Sequence, residues 1–143
     1  VYSVALAPAL AASALRALEI LADEPARVRK LQDNCALFLR LAARSSLATG
    51  TAGPFSIVPV MVGDTLLAAK LSERLLKRGV NALPVMFPAV PMQAARLRFF
   101  LSALHDDLQI ATAVAATAEE LAQLRGADFG RAMSHAVFNL RNP

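Results

Sequence analysis

Two arginines, Arg96 and Arg98, carry the clearest chemical signal in the sequence. They stand two residues apart in an alternating run, 96–102, and side chains at i and i+2 lie on the same face of a regular strand. A guanidinium beside apolar side chains is costly to leave without a counter-charge. We therefore expect at least one of them to meet a carboxylate, either from an Asp or Glu of this protein or from a bound ligand.

The two histidines, His105 and His135, indicate less. Neither has a second ligand at the spacing of a zinc or iron site, so we predict no metal site. The position of His105 before Asp106 is typical of a loop or helix-cap histidine, with a catalytic role as the alternative. Because the nucleophile-elbow, dinucleotide-binding and phosphate-loop motifs are missing from the sequence, we predict no catalytic residue in this chain.

The elements that must position these residues follow from the spacing of apolar residues and from proline and glycine. Four stretches with apolar residues at three- and four-residue steps predict helices: 9–22, 25–45, 65–78 and 106–125. Three extended stretches predict strands: 55–62, 80–83 and 96–102. The loop 84–91 contains three prolines and is predicted to be irregular. This order predicts an α+β fold, a small, mainly antiparallel sheet of about three strands with helices on one face.

Acidic and hydroxyl residues that precede the predicted helices are candidates for their amino-terminal caps. The candidates for the second, third and last helices are Asp23 or Glu24, Asp64 or Thr65, and Asp106 or Asp107.

Composition narrows the classes of function. Apolar residues make up 56% and charged residues 18%, which indicates a compact chain with either a thick helical core or a face covered by another domain or subunit. The net charge is +4, but the basic residues are scattered among acids, so we predict no nucleic-acid partner. The single cysteine, Cys35, excludes an internal disulfide, fits a reducing cytosol and is predicted to be buried.

No apolar run reaches the roughly 18–20 uncharged residues of a membrane helix, so we predict no membrane span. The start at Val1 has no Met and no basic region, so we expect no signal peptide and interpret the chain as a piece of a longer protein.

Three stretches of the sequence are informative when they are taken together with their order and spacing. They are Tyr2-Ser3-Val4-Ala5-Leu6-Ala7-Pro8-Ala9, Ile57-Val58-Pro59-Val60-Met61-Val62-Gly63-Asp64, and Phe87-Pro88-Ala89-Val90-Pro91 with Ala95-Arg96-Leu97-Arg98 and Ser102-Ala103-Leu104-His105. Together they resemble the carboxy-terminal domain of the α-oxoamine synthase family of pyridoxal-phosphate (PLP) enzymes. That family includes 8-amino-7-oxononanoate synthase, 5-aminolevulinate synthase, 2-amino-3-ketobutyrate coenzyme A ligase and serine palmitoyltransferase. The match covers about residues 2–121.

The resemblance implies roles for two residues. In the family, the second arginine of the Ala-Arg-Leu-Arg motif holds the carboxylate of the amino acid, which would make Arg98 a substrate-binding residue. Ser3 matches a hydroxyl-bearing position that approaches the cofactor phosphate from the neighbouring subunit, which would make it a cofactor-binding residue. Two positions depart from the family pattern. Ala89 stands where threonine is common, so a hydroxyl contact from that loop would be lost, and Val4 replaces a usual threonine beside Ser3.

The resemblance also implies an organisation and an activity. Residues 1–125 would form the small domain of a fold-type I PLP enzyme and 126–143 a carboxy-terminal extension. The full-length enzyme would be a cytoplasmic, PLP-dependent homodimer that condenses an amino acid with an acyl thioester, from acyl-coenzyme A or an acyl-carrier protein, to an α-oxoamine. Two alternatives stay open, another fold-type I aminotransferase domain and a non-catalytic interaction domain.

The Schiff-base lysine would lie in the large PLP-binding domain of the same polypeptide, which is therefore a predicted partner. Lys30, Lys70 and Lys77 fall on predicted helices, outside any matching motif. The isolated chain is accordingly predicted to be inactive and not to hold the cofactor.

Overall fold

The computed structural model describes residues 6–126 and confirms the predicted α+β class. Ser3, His135 and the extension beyond residue 126 lie outside the described residues. Seven elements follow one another along the chain: α1 (Pro8–Asp23), α2 (Pro25–Arg44), β1 (Ile57–Gly63), α3 (Thr65–Lys77), β2 (Leu83–Val85), β3 (Ala95–Phe100) and α4 (Asp107–Gly126). Their order is the predicted one.

The three strands form one antiparallel sheet in the order β1-β3-β2. Alternate residues of the central strand β3, Ala95, Leu97 and Phe99, are buried, while those between them are not. Strand β1 alternates in the same way. The buried side chains meet α2, α3 and α4, so one face of the sheet packs on helices, and no helix of residues 6–126 packs on the other face.

The core lies between the sheet and these three helices. Phe38 of α2 is fully buried and packs against Phe99 of β3, with ring centroids 5.0 Å apart and planes tilted by 48°. Cys35, one turn earlier on α2, is buried as predicted, and burial raises the pKa of its thiol. The same apolar face of α2 therefore accounts for both residues.

Strand β2 corrects one sequence-based boundary. The second extended stretch was expected at 80–83 with an irregular loop from Pro84, but the strand runs from Leu83 to Val85 and includes this proline. The reason is its position at the edge of the sheet, where only one side pairs and the N–H group that proline lacks is not needed on the other side. Ala82 is held instead by its carbonyl oxygen, which accepts a hydrogen bond from Ser72 Oγ of α3 at 2.7 Å.

The helix caps confirm two of three expectations. Asp64 caps α3, accepting a hydrogen bond from the Leu67 N–H at 2.8 Å. Asp106 and Gln109 cap α4 reciprocally, each side-chain oxygen accepting the other's backbone N–H, at 2.7 and 3.0 Å. The expectation for α2 is wrong, since Glu24 occupies the cap position without a side-chain cap bond and pairs with an arginine in the first turn.

Helix α1 stands apart from this core. None of its residues is buried, and its contacts run to α2. Within residues 6–126 no helix is both long and apolar enough to cross a membrane.

Candidate functional site

The sheet face opposite the helices, here called the open sheet face, is the surface on which the two arginines lie. It consists of the outward-facing residues of the three strands: Ile57, Pro59, Met61, Leu83, Val85, Arg96, Arg98 and Phe100. Six of these eight side chains are apolar, so the two guanidinium groups stand on an apolar surface. The predicted common orientation of the arginines is confirmed.

Arg98 occupies the middle of this face. Its cross-strand neighbours are Pro59 on β1 and Leu83 on β2. The side chain is exposed, and its Cζ lies 5.6 Å from the centroid of the Phe100 ring, two residues along the strand. A cation over an aromatic ring is stabilised by the ring quadrupole. The guanidinium carries five N–H donors, and none of them makes a hydrogen bond to another residue in the range 6–126.

Arg96 differs from Arg98 in being half-buried and tied to its own strand. Its Nε donates a hydrogen bond to the Ala94 carbonyl oxygen at 3.1 Å. Met61 and Val85 flank it across the sheet. The backbone contact holds Arg96 near the start of β3, whereas the guanidinium of Arg98 has no such anchor in the part of the chain that the structure describes.

The expected carboxylate partner is not supplied by residues 6–126. All ion pairs formed there involve other basic residues, and no Asp or Glu oxygen comes within 4.0 Å of a nitrogen of Arg96 or Arg98. Of the two sources that the sequence left open, an internal acid among these residues is excluded. The guanidinium groups of Arg96 and Arg98 therefore have no acidic partner among the residues that the structure describes.

The loop between β2 and β3 leads directly into the arginine-bearing strand. It contains a cis peptide bond between Phe87 and Pro88, and Gln93 has a positive φ of 64°. Two apolar side chains of the loop are exposed, Phe87 by 62% and Met92 by 74%. The loop that resembles a family motif therefore stands next to Arg98 along the chain and presents apolar surface.

His105 lies in the turn between β3 and α4, and its ring is held by a hydrogen bond from the backbone. Its Nδ1 accepts the Ser102 N–H at 3.2 Å, which places the ring proton on Nε2 in the neutral form. It also lines a cleft of about 230 Å³ with residues that include Phe38, Asn81 and Gln109. These contacts agree with the loop position among the alternatives offered for His105, because Asp106 and not His105 caps α4. No acid or nucleophile of residues 6–126 is paired with its ring.

Asn34 contacts the turn that follows the arginine-bearing strand, and this role was not predicted from the sequence. It is 1% exposed, and its Nδ2 donates to the carbonyl oxygens of Ser102 and His105, both at 2.9 Å. The two bonds hold the turn that follows the arginine-bearing strand. One feature of the sequence could have predicted this contact. Asn34 lies beside Cys35 on the apolar face of a predicted helix, and a buried amide needs hydrogen-bond partners.

The lysines of the chain do not fit the Schiff-base position of a PLP site. Lys30 pairs with Asp107 at 3.2 Å, while Lys70 and Lys77 both pair with Glu73, at 2.6 and 2.7 Å. All three lie on helices, away from the open sheet face. Likewise, residues 6–126 contain no group of three His, Cys, Asp or Glu side chains that could hold a metal ion. These residues thus offer a cation for a carboxylate but no amine beside it.

The chain is similar in sequence to known proteins. No model of a protein family matches the chain. It is 37% identical to 8-amino-7-oxononanoate synthase of Symbiobacterium thermophilum over 118 residues, which is 82% of this chain and 30% of that protein. It is 34% identical to 8-amino-7-oxononanoate synthase 1 of Bacillus subtilis over 123 residues, 84% of this chain and 31% of that protein. The chain thus spans about a third of these relatives.

Solved structures share the fold. Serine palmitoyltransferase from S. paucimobilis, with a bound PLP–myriocin aldimine, superposes with a TM-score of 0.76 at 23% identity, over 87% of this chain and 31% of that one. The 8-amino-7-oxononanoate synthase of Francisella tularensis gives 0.73 at 24% identity, over 86% and 36%. The sequence matches and the shared fold lead to one assignment. The chain belongs to the α-oxoamine synthase family of PLP-dependent enzymes and represents its carboxy-terminal part.

Proposed function

We propose that Arg98 binds the carboxylate of an amino-acid substrate in a PLP-dependent acyltransferase that condenses the amino acid with an acyl thioester to an α-oxoamine. The observation that carries this proposal is the exposed guanidinium of Arg98 on an apolar surface, with no acid of residues 6–126 within ion-pair distance.

The surroundings of Arg98 suit carboxylate capture. A planar guanidinium forms two parallel charge-assisted hydrogen bonds with a carboxylate, and these are stronger where apolar neighbours exclude water. Pro59 and Leu83 supply such neighbours on either side, and the Phe100 ring supports the guanidinium. Holding the carboxylate at two points orients the amino acid, so that its Cα bonds take a fixed direction for the reaction.

The other requirements of the activity fall outside this chain, in the remainder of a polypeptide about three times as long. We propose that this remainder is the large domain with the Schiff-base lysine and most of the PLP site. When bound there, PLP supplies an electron sink for the bond made and broken at Cα. The isolated chain is accordingly inactive, because its three lysines are engaged in ion pairs on helices.

Several finer features belong to the same proposal. The domain occupies residues 1–125 and an extension follows over 126–143. Ser3 contacts the cofactor phosphate of a neighbouring subunit in a cytoplasmic homodimer. The acyl donor is acyl-coenzyme A or an acyl-carrier protein. These features are supported by the family relationship and by the residues that match its motifs.

The test is substitution of Arg98 in the full-length enzyme. Loss of a charge-assisted pair worth about 1.5–3 kcal/mol should raise KM for the amino acid roughly 10- to 150-fold in Arg98→Ala. Arg98→Lys should recover only part of this, because an ammonium lacks the planar fork. KM for the acyl thioester should change little.

The matched control is Arg44→Ala, which removes an exposed arginine from the last turn of α2. It should leave both Michaelis constants unchanged. An unaltered KM for the amino acid in Arg98→Ala would contradict the assignment of Arg98.

A further inference from the structure

Helix α2 holds the end of the arginine-bearing strand through two side chains that stand one turn apart on the helix. Phe38 packs on Phe99 of β3. Asn34 donates hydrogen bonds to the carbonyl oxygens of Ser102 and His105, just past the last residue of the strand. Phe38 is fully buried and Asn34 is 1% exposed. The strand end is therefore fixed from α2 both within β3 and in the turn that follows it.

The turn between β3 and α4 depends on Asn34 at both of its ends. The bond that this turn makes across itself, from the His105 N–H to the Ser102 carbonyl oxygen, is long at 3.4 Å. The amide nitrogen of Asn34 bonds both of these residues at 2.9 Å and so joins the two ends. On the side of β1, the Leu101 N–H donates to the Ser56 carbonyl oxygen at 2.7 Å. The backbone beyond β3 is thus held from α2 and from the segment that precedes β1.

The guanidinium of Arg98 is linked to this backbone through Phe100. The Arg98 Cζ lies 5.6 Å from the centroid of the Phe100 ring. No hydrogen bond or ion pair to another residue in the range 6–126 holds the guanidinium. Phe100 is the last residue of β3 and stands between buried Phe99 and the turn that Asn34 holds. A displacement of the strand end would therefore move the ring and, with it, the guanidinium.

The amide of Asn34 supplies more geometry than stability. Its Oδ1 is buried and has no hydrogen-bond partner within residues 6–126, so only the donor half of the amide is used. A buried acceptor without a partner costs free energy, which offsets part of the gain from the two bonds. The geometric effect has no such offset, because buried polar contacts between distant segments specify one arrangement of the segments that they join.

We propose that Asn34 is a positioning residue for carboxylate binding, acting on Arg98 through the end of β3 and the Phe100 ring. The inference rests on the proposed function, in which Arg98 binds the carboxylate of the amino acid. It gives Asn34, on the helix side of the sheet, an effect on a group on the open sheet face. A misplacement of about 1 Å in a binding group can cost roughly 100-fold in rate, so a small shift of the strand end is enough to weaken binding.

The experiment measures steady-state kinetics of the full-length enzyme with Asn34→Asp, at a temperature at which each variant is folded. This change keeps the shape of the side chain and removes both donors. KM for the amino acid should rise about five- to tenfold, kcat should fall by less than that factor, and KM for the acyl thioester should stay within about twofold. If Asn34→Asp does not fold, Asn34→Gln, which is uncharged and longer by one methylene, should fold and raise the same KM.

The matched control is Leu124→Ala, which removes a core leucine that is 1% exposed. Leu124 lies on α4, whose contacts run mainly to α2 and α3. This variant should lower the melting temperature and leave KM for the amino acid unchanged, so that a loss of stability is separated from a loss of positioning. The same rise of KM in Leu124→Ala as in Asn34→Asp would overturn the proposal, and so would an unchanged KM in Asn34→Asp.

A double substitution separates this proposal from the assignment of Arg98. In the Arg98→Ala background, Asn34→Asp should change KM for the amino acid by no more than about twofold, because the group that Asn34 positions is gone. An equal rise of KM in both backgrounds would overturn the positioning role and leave the assignment of Arg98 intact. Failure of that assignment has a different signature, an unchanged KM in Arg98→Ala alone.

Discussion

Replacing Asn34 by aspartate tests how the turn after the arginine-bearing strand is held. The change keeps the shape of the side chain but removes the two N–H donors that bind the carbonyl oxygens of Ser102 and His105. At 1% exposure, the new carboxylate would face two carbonyl oxygens with little access to water. Both effects destabilise the folded state.

The magnitude follows from the two broken contacts. The Ser102 carbonyl oxygen keeps a hydrogen bond from the His105 N–H at 3.4 Å, whereas the His105 carbonyl oxygen loses its bond to Asn34. The lost bonds together with a buried charge that has no counter-charge cost about 3–5 kcal/mol at pH 7. For a chain of 143 residues this corresponds to a fall in Tm of roughly 10–15 °C. Asn34→Asp therefore removes a large part of the stability of a typical domain.

The loss of stability in Asn34→Asp should depend on pH and be larger at pH 7 than at pH 4. Burial and the facing carbonyl oxygens raise the pKa of the new carboxyl above its unfolded value of about 3.9. Stability is then fully present below that value and is lost as pH rises through the folded pKa. A protonated carboxyl can donate one of the two lost hydrogen bonds. The difference in stability between Asn34→Asp and the wild type should accordingly shrink between pH 7 and pH 4.

The assay is thermal and urea unfolding followed by circular dichroism, with Asn81→Asp as the control. Asn81 is exposed, so the same change of amide to acid should shift Tm by no more than about 2 °C there. The reasoning is refuted if Asn34→Asp melts together with the wild type at pH 7. It is also refuted if the loss of stability is the same at both pH values.

Two further predictions concern the core and the acid stability. Phe38→Ala should lower the free energy of unfolding, measured in urea, by about 3–5 kcal/mol, because Phe38 is fully buried against Phe99. The control Phe55→Ala should lower it little, since Phe55 is 72% exposed. Equal losses in the two variants would show that Phe38 is not part of the core. The second prediction concerns Glu73. Hydrogen bonds from Lys70 and Lys77, of which the Lys70 bond has the larger effect, lower the pKa of the Glu73 carboxyl from 4.5 to about 2. This contribution to stability is present above pH 4.5 and lost as pH falls toward 2, so Glu73→Gln should flatten that part of the acid dependence, measured as urea midpoints against pH.

The order of the elements and the direction of the two arginines could be predicted from the sequence because both depend on local spacing. The three- and four-residue apolar steps of the helices and the two-residue alternation around Arg98 are properties of neighbouring residues. The caps at Asp64 and Asp106 are local as well, since each side chain bonds a backbone N–H three residues away. The predicted cap of α2 was wrong because Arg27, in the first turn of that helix, forms an ion pair with Glu24.

Contacts between distant residues were decided by the tertiary structure. Asn34 bonds carbonyl groups 68 and 71 residues away, and no local pattern contains that information. The shift of β2 to Leu83–Val85 depends on its place at the sheet edge, which is settled by the strand order. By itself the sequence determined that Arg96 and Arg98 lie on the same face of their strand. Only the fold decided that no acid of residues 6–126 meets them there, because the distance between two charges depends on how separate elements pack.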